Sequence, residues 1–316
     1  MFAARGIAVS FSVFVMVYCV LSLAVCLAWR TVQSQVARFP VRRVADLLFA
    51  LRMFPLATAV VITAAFTVPS FVLLEPRAIE EPLGEIPLAL GIFGAALGLF
   101  GVVNAGLAMR RASRTISTWT NAAQPLESCA HIPVLRISPA VPAMTATGIV
   151  RPRVLLSAAA ESMLTASELH TALNHEVAHV RRRDNLKKLL LRFVAFPGVS
   201  GLETAWLEAT EMAADDAAVS NAGEALDLAA ALIKLSRLGP VEPPSDLTTA
   251  LVHSPASVMN ARVERLIAWS EERLVSPPRF SLRFGLTAGL ATVTVFAVTY
   301  GQLLVHVHTA TEWLVR

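Results

Sequence analysis

Four stretches of this chain contain no Asp, Glu, Lys or Arg over lengths that can cross a bilayer, and this limits the fold more than any other feature. They are Gly6–Trp29, Met53–Leu74, Ile86–Met109 and Phe284 to about Val305. A hydrocarbon core needs about 20 helical residues to span it, so each stretch is long enough. Composition agrees: 55% of residues are hydrophobic and 16% charged, against roughly 25% charged in ordinary globular domains. That balance excludes disorder, collagen and a purely soluble enzyme. The surplus apolar surface is expected to face lipid.

The first stretch begins after Arg5, as a signal peptide would. Signal cores run only about 7 to 15 residues, whereas this one continues unbroken to Trp29 and reads as a span. Two of the three cysteines, Cys19 and Cys26, lie inside it, and Cys129 stands alone, so no disulfide framework is expected. Gly94 and Gly98 in the third stretch have the small-xxx-small spacing that lets helices approach closely.

The 24 Arg and 3 Lys are spread among the connecting segments and read as topology determinants, with no direct nucleic-acid partner expected. Arg30, Arg38, Arg42, Arg43 and Arg52 separate the first two stretches, whereas Glu75, Glu80, Glu81 and Glu85 with Arg77 separate the second and third. Positive loops stay on the cytoplasmic side. The N-terminus and the acidic loop are therefore expected outside. The segment 110–283, which opens on Arg110, Arg111 and Arg114, is expected inside, with Arg279 and Arg283 anchoring the final crossing.

The expected architecture is an α-helical membrane protein with four transmembrane helices and an inserted, mainly α (α+β) domain. Residues 1–109 hold three spans, 110–283 the cytoplasmic domain, and 284–316 the fourth span and a short tail. Within the insertion, 132–138 and 148–157 read as strands, with a turn at Pro139–Pro142. Thr165 and Glu168 form a capping box ahead of a helical run to about Arg192. Further helices are expected over 202–221, 224–238 and 258–273.

The first of these helices carries His175-Glu176-Val177-Ala178-His179. Positions i and i+4 share a helix face, so both imidazoles can reach one Zn2+ while Glu176 stands beside the open coordination position as general base. The next helix carries Glu211 and Asp215, again at i and i+4. Glu211 is a candidate third ligand, and Glu208, one turn earlier on nearly the same face, is another. Asp215 can accept a hydrogen bond from the far nitrogen of a ligand histidine, as carboxylates behind metal ligands do. The plainer reading, two polar-face histidines and a solvated carboxylate, leaves the clustering of five such residues unexplained.

The stretch from Leu173 to Leu189, with Glu211 to Asp215 and the strand around Pro152, resembles the BlaR/MecR family of bacterial membrane metallopeptidases. The resemblance implies a gluzincin-like domain, favours Glu211 over Glu208, and places the chain in the bacterial cytoplasmic (inner) membrane. It also implies regulatory proteolysis, with a BlaI/MecI-like transcriptional repressor as one protein substrate. Only a short tail follows Val305, so the large extracellular penicillin-binding domain of the β-lactam receptors is not expected. A separate sensor protein or a homo-oligomer would then supply the signal. The more distant HtpX and CaaX-type gluzincins end in a His-Pro segment followed by an Arg. His253 and Arg262 look similar to these, which makes either a candidate for stabilising the oxyanion.

The reading is thus an integral membrane zinc metalloendopeptidase that cleaves a cytosolic or membrane-proximal protein, or itself. An extended substrate is expected along the edge of the strand ending near Ser157. The rival is a proteolytically silent signalling or scaffold protein with a retained zinc site. Three ligands with an adjacent Glu suit an open catalytic position better than a closed structural one.

Overall fold

The computed structural model describes residues 2–36, 39–76, 84–121, 123–126, 129–137, 143–194, 196, 200–238, 247, 249–250, 256–269 and 299–312. The chain divides into two units. One comprises Met1–Thr31, Met53–Phe100 and Val275–Arg316, the other Val32–Arg52 and Gly101–Leu274.

The long apolar helices are α1 (Phe2–Val36), α2 (Val41–Ile62), α3 (Val68–Leu74) and α4 (Glu85–Thr120). A π-helical turn, Thr63–Thr67, joins α2 to α3. Among the described residues, Phe2–Thr31, Val41–Leu74 and Glu85–Thr120 are long and apolar enough to cross a membrane. Of the expected fourth span, 284–298 lie outside the described residues, and 299–312 are helical. Helices α1 and α4 outrun their uncharged stretches at both ends, and α2 outruns its own at the start. Arg42, Arg43 and Arg110, expected in loops, sit inside α2 and α4, because Arg is a good helix former and hydropathy marks only where a helix leaves lipid.

In the first unit, Pro69 has no N–H for the carbonyl of Ala65 four residues back. The Tyr300 hydroxyl of the C-terminal helix donates to that carbonyl at 2.6 Å. A Cβ on Gly91 would come within 3.1 Å of the Ala8 backbone, and one on Gly94 within 2.8 Å of Val15. Gly98 meets nothing within 4 Å. The close approach to α1 therefore uses Gly91 and Gly94, not the expected Gly94–Gly98 pair.

The second unit holds a five-stranded sheet. Its strands are β1 (Gln124–Pro125), β2 (Val134–Ile137), β3 (Met144–Thr147), β4 (Arg153–Ser157) and β5 (Thr249–Ala250), in the order β1-β2-β4-β3-β5. β2 and β4 are parallel and the other pairs antiparallel. The helices are α5 (Ala158–Met163), α6 (Ala166–Arg182), α7 (Asp184–Phe193), α8 (Ser200–Ala218), α9 (Ala222–Ser236) and α10 (Ala256–Ile267). Ala172 and Val177 of α6 share one buried cluster with Met144, Val154 and Leu156 of the sheet and Leu228 and Leu232 of α9. Each large aliphatic side chain so buried stabilises the fold by about 1.5–3 kcal/mol.

Three expectations need correction. The run 165–192 is not one helix: the capping box of Thr165 and Glu168 opens α6, but Arg183 adopts a left-handed conformation (φ 56°) that ends it, and α7 starts at Asp184. The strand expected over 148–157 starts only at Arg153, because Gly148 turns the chain with φ +87°. β4 has neighbours on both sides, so it offers no edge to a substrate; the sheet's edges are β1 and β5. The expected turn Pro139–Pro142 and residue His253 lie outside the described residues.

Candidate metal centre

Helix α6 forms because its capping box satisfies the first turn and its apolar face packs on the sheet. That packing leaves His175, Glu176 and His179 buried on the side facing β3, α7 and α8. His175 Nε2 lies 3.1 Å from His179 Nε2. Glu211 of α8 places Oε2 3.6 Å from His175 Nε2 and Oε1 3.6 Å from His179 Nε2. Ligand atoms around a tetrahedral zinc lie roughly 3.4 Å apart when the bonds are about 2.0–2.1 Å. His175, His179 and Glu211 form a group that could hold a metal ion, and Glu208 is not part of it.

Each imidazole is fixed from behind. His175 Nδ1 is 2.9 Å from Asp215 Oδ1, and His179 Nδ1 is 2.8 Å from Asp184 Oδ2. Carboxylates so placed set the tautomer and leave Nε2 as the free donor. Asp215 stands where the spacing on α8 predicted. Asp184 was missed although it lies in the His-containing stretch, because only the break at Arg183 turns it back towards His179.

Arg262 of α10 is buried and reaches both carboxylates of α8. Its Nε and Nη2 donate to Asp215 at 2.8 and 2.7 Å, and Nη1 lies 3.1 Å from Glu211 Oε2. The residue read as an oxyanion candidate thus contacts both the Asp215 carboxylate behind His175 and the candidate ligand Glu211.

Glu176 faces the sheet. Its Oε2 accepts the Ala146 N–H at 2.6 Å, while Oε1 is buried without a hydrogen-bond partner. Asn185 at the start of α7 donates to the Ala146 carbonyl at 3.1 Å, so side chains hold both backbone polar groups of this β3 residue. Sequence reading missed β3 because all four residues of Met-Thr-Ala-Thr are buried, so the segment shows no alternation of apolar and polar positions.

The electrostatics follow from burial set against these partners. Burial alone would raise the Asp215 carboxyl, but the Arg262 guanidinium and His175 hold it well below the usual carboxylate range. The same burial acts on Glu211, which the charge of His179, the bond to His175 and Arg262 bring down to about 2. Burial would lower His175, yet its bonds to Asp215 and Glu211 push it up to about 9. For Glu176 burial prevails over the two histidines and the Ala146 amide, and its carboxyl is raised. Lys188 of α7 is lowered by burial, opposed by Glu211, Asp184 and Glu176.

The family described as BlaR1 peptidase M56 matches residues 20–266, more than three quarters of the chain. No curated protein matches it.

Proposed function

This chain belongs to the BlaR1 peptidase M56 family, and on that premise we propose that it is an integral membrane zinc metalloendopeptidase. Its centre is His175, His179 and Glu211 as metal ligands with Glu176 as general base. The observation that carries this reading is the convergence of two Nε2 atoms and one carboxylate within 4.8 Å of one another, beside a buried carboxyl oxygen without a partner. The donor set fits zinc: two imidazoles and one carboxylate leave a fourth position open.

Held there, zinc supplies Lewis-acid polarisation of the scissile carbonyl and lowers the pKa of water to about 7. Glu176 takes a proton from the attacking water and delivers it to the leaving amine. The Ala146 amide holds one Glu176 oxygen, so the other is the one that moves the proton. Asp215 and Asp184 orient the two imidazoles, and Arg262 keeps Asp215 and Glu211 ionised and in place. His253 remains a proposed oxyanion partner on resemblance alone.

The segment 110–283 is proposed as the cytoplasmic protease domain, between three N-terminal spans in 1–109 and a fourth in 284–316, with the N-terminus outside. The substrate is a cytosolic or membrane-proximal protein, and a BlaI/MecI-like repressor and the chain itself are the two to test first. The test incubates the full chain, purified in detergent, with such a repressor, with and without a zinc chelator. Cleavage of either protein that stops with chelation and returns with zinc supports the reading. Zinc binding without cleavage of the repressor or of the chain supports the silent scaffold instead.

A further inference from the structure

A second candidate metal group stands in the first unit. Glu75, at the end of α3, meets His308 and Glu312 of the C-terminal helix, and one ligand atom from each lies within 4.8 Å of the others. His308 Nε2 is 3.8 Å from Glu75 Oε2 and 3.6 Å from Glu312 Oε1. These spacings match those at the candidate active site.

The resemblance extends to how the two groups are built. His308 and Glu312 are an i, i+4 pair on one helix face, as His175 and His179 are. Each pair is completed by a Glu from another helix, and each of those carboxylates is backed by an arginine. Arg5 Nη1 lies 2.9 Å from Glu75 Oε1, which leaves Oε2 directed at His308.

Burial adds a separate observation. The Glu75 side chain is 7% exposed and that of His308 16%, so both are largely withdrawn from water. Glu312 is 39% exposed and leaves a way in. One imidazole with two carboxylates suits a zinc-class ion; calcium and magnesium prefer more oxygen ligands.

We propose that Glu75, His308 and Glu312 form a second divalent-metal site, of the zinc class, that fastens the C-terminal helix to the end of α3 and, through Arg5, to α1. The ligand geometry stands independently of the proposed protease function. Only its side of the membrane rests on the orientation proposed above, which puts the site outside, where external zinc would load it.

The test counts zinc on the full chain in detergent, after equilibration with zinc and removal of the free ion. Wild type is expected to hold about two ions, and His308→Ala and Glu312→Gln about one each. His175→Ala/His179→Ala separates the two sites: it is expected to retain about one ion, and to lose it when Glu312→Gln is added. In that double variant zinc should also raise the unfolding temperature, and Glu312→Gln should abolish the rise. Unchanged zinc content in both His308→Ala and Glu312→Gln overturns the site, as does a zinc-free His175→Ala/His179→Ala protein that is still folded.

Discussion

Asp184 Oδ2 lies 2.8 Å from His179 Nδ1 across a helix break, because Arg183 turns left-handed between the two residues. The contact gives His179 the same backing that Asp215 gives His175, but from the next helix. Asp184→Asn keeps the size and weakens the acceptor. Zinc affinity, measured by competition with a chromophoric chelator, is expected to fall roughly 10- to 100-fold. Unchanged affinity would show that Asp184 serves only the helix junction.

Arg262 grips Asp215 through two nitrogens and Glu211 through the third. Lys keeps the charge but has no planar fork. Arg262→Lys should therefore lower stability by about 1.5–3 kcal/mol, the scale of hydrogen bonds to charged groups, and weaken zinc binding with it. Turnover that falls at wild-type stability and zinc affinity would place Arg262 at the oxyanion instead.

Asn185→Ala removes the donor to the Ala146 carbonyl. A stability loss of about 0.5–1.5 kcal/mol is expected from the lost hydrogen bond. Turnover should fall while zinc content stays at the wild-type value, because Ala146 also holds Glu176. Wild-type turnover would mean that β3 keeps its position without this bond.

Glu168 links the cap of α6 to α9 through Lys234 Nζ at 2.7 Å. Burial would raise its carboxyl, but the Lys234 bond and the Thr165 amide outweigh that and lower it. A lowered folded pKa stabilises fully above the unfolded value near 4.3 and is lost as pH falls through the folded one. Glu168→Gln keeps the capping oxygen and loses the charge. It should be less stable than wild type by up to about 1 kcal/mol at neutral pH, with the gap closing in acid. A gap independent of pH would contradict this.

Helical spacing puts His175, Glu176, His179, Glu211 and Asp215 on two faces that can meet, but it left Glu208 open beside Glu211, and only the family resemblance chose between them. Asp184 and Asn185 were not legible, since their direction depends on one left-handed residue that no hydrophobic period marks. β3 was hidden for a related reason: Thr145 and Thr147 are buried, and polar side chains in a strand's interior erase the alternation that reveals it. Arg262 was legible as a candidate, but its contacts with Asp215 and Glu211 were not, since they depend on the packing of α10 against α8. The membrane helices were legible in their apolar centres and illegible at their ends, where arginines continue the helix.

The central claim is that Glu176 moves the proton at a metal centre built by His175, His179 and Glu211. It is tested most directly by measuring zinc content and proteolysis, self-cleavage included, on purified wild type beside Glu176→Ala. Equal zinc in the two proteins, with cleavage by the wild type and a loss of about 100-fold or more in the variant, is the predicted result. A Glu176→Ala protein that cleaves at the wild-type rate would contradict the account.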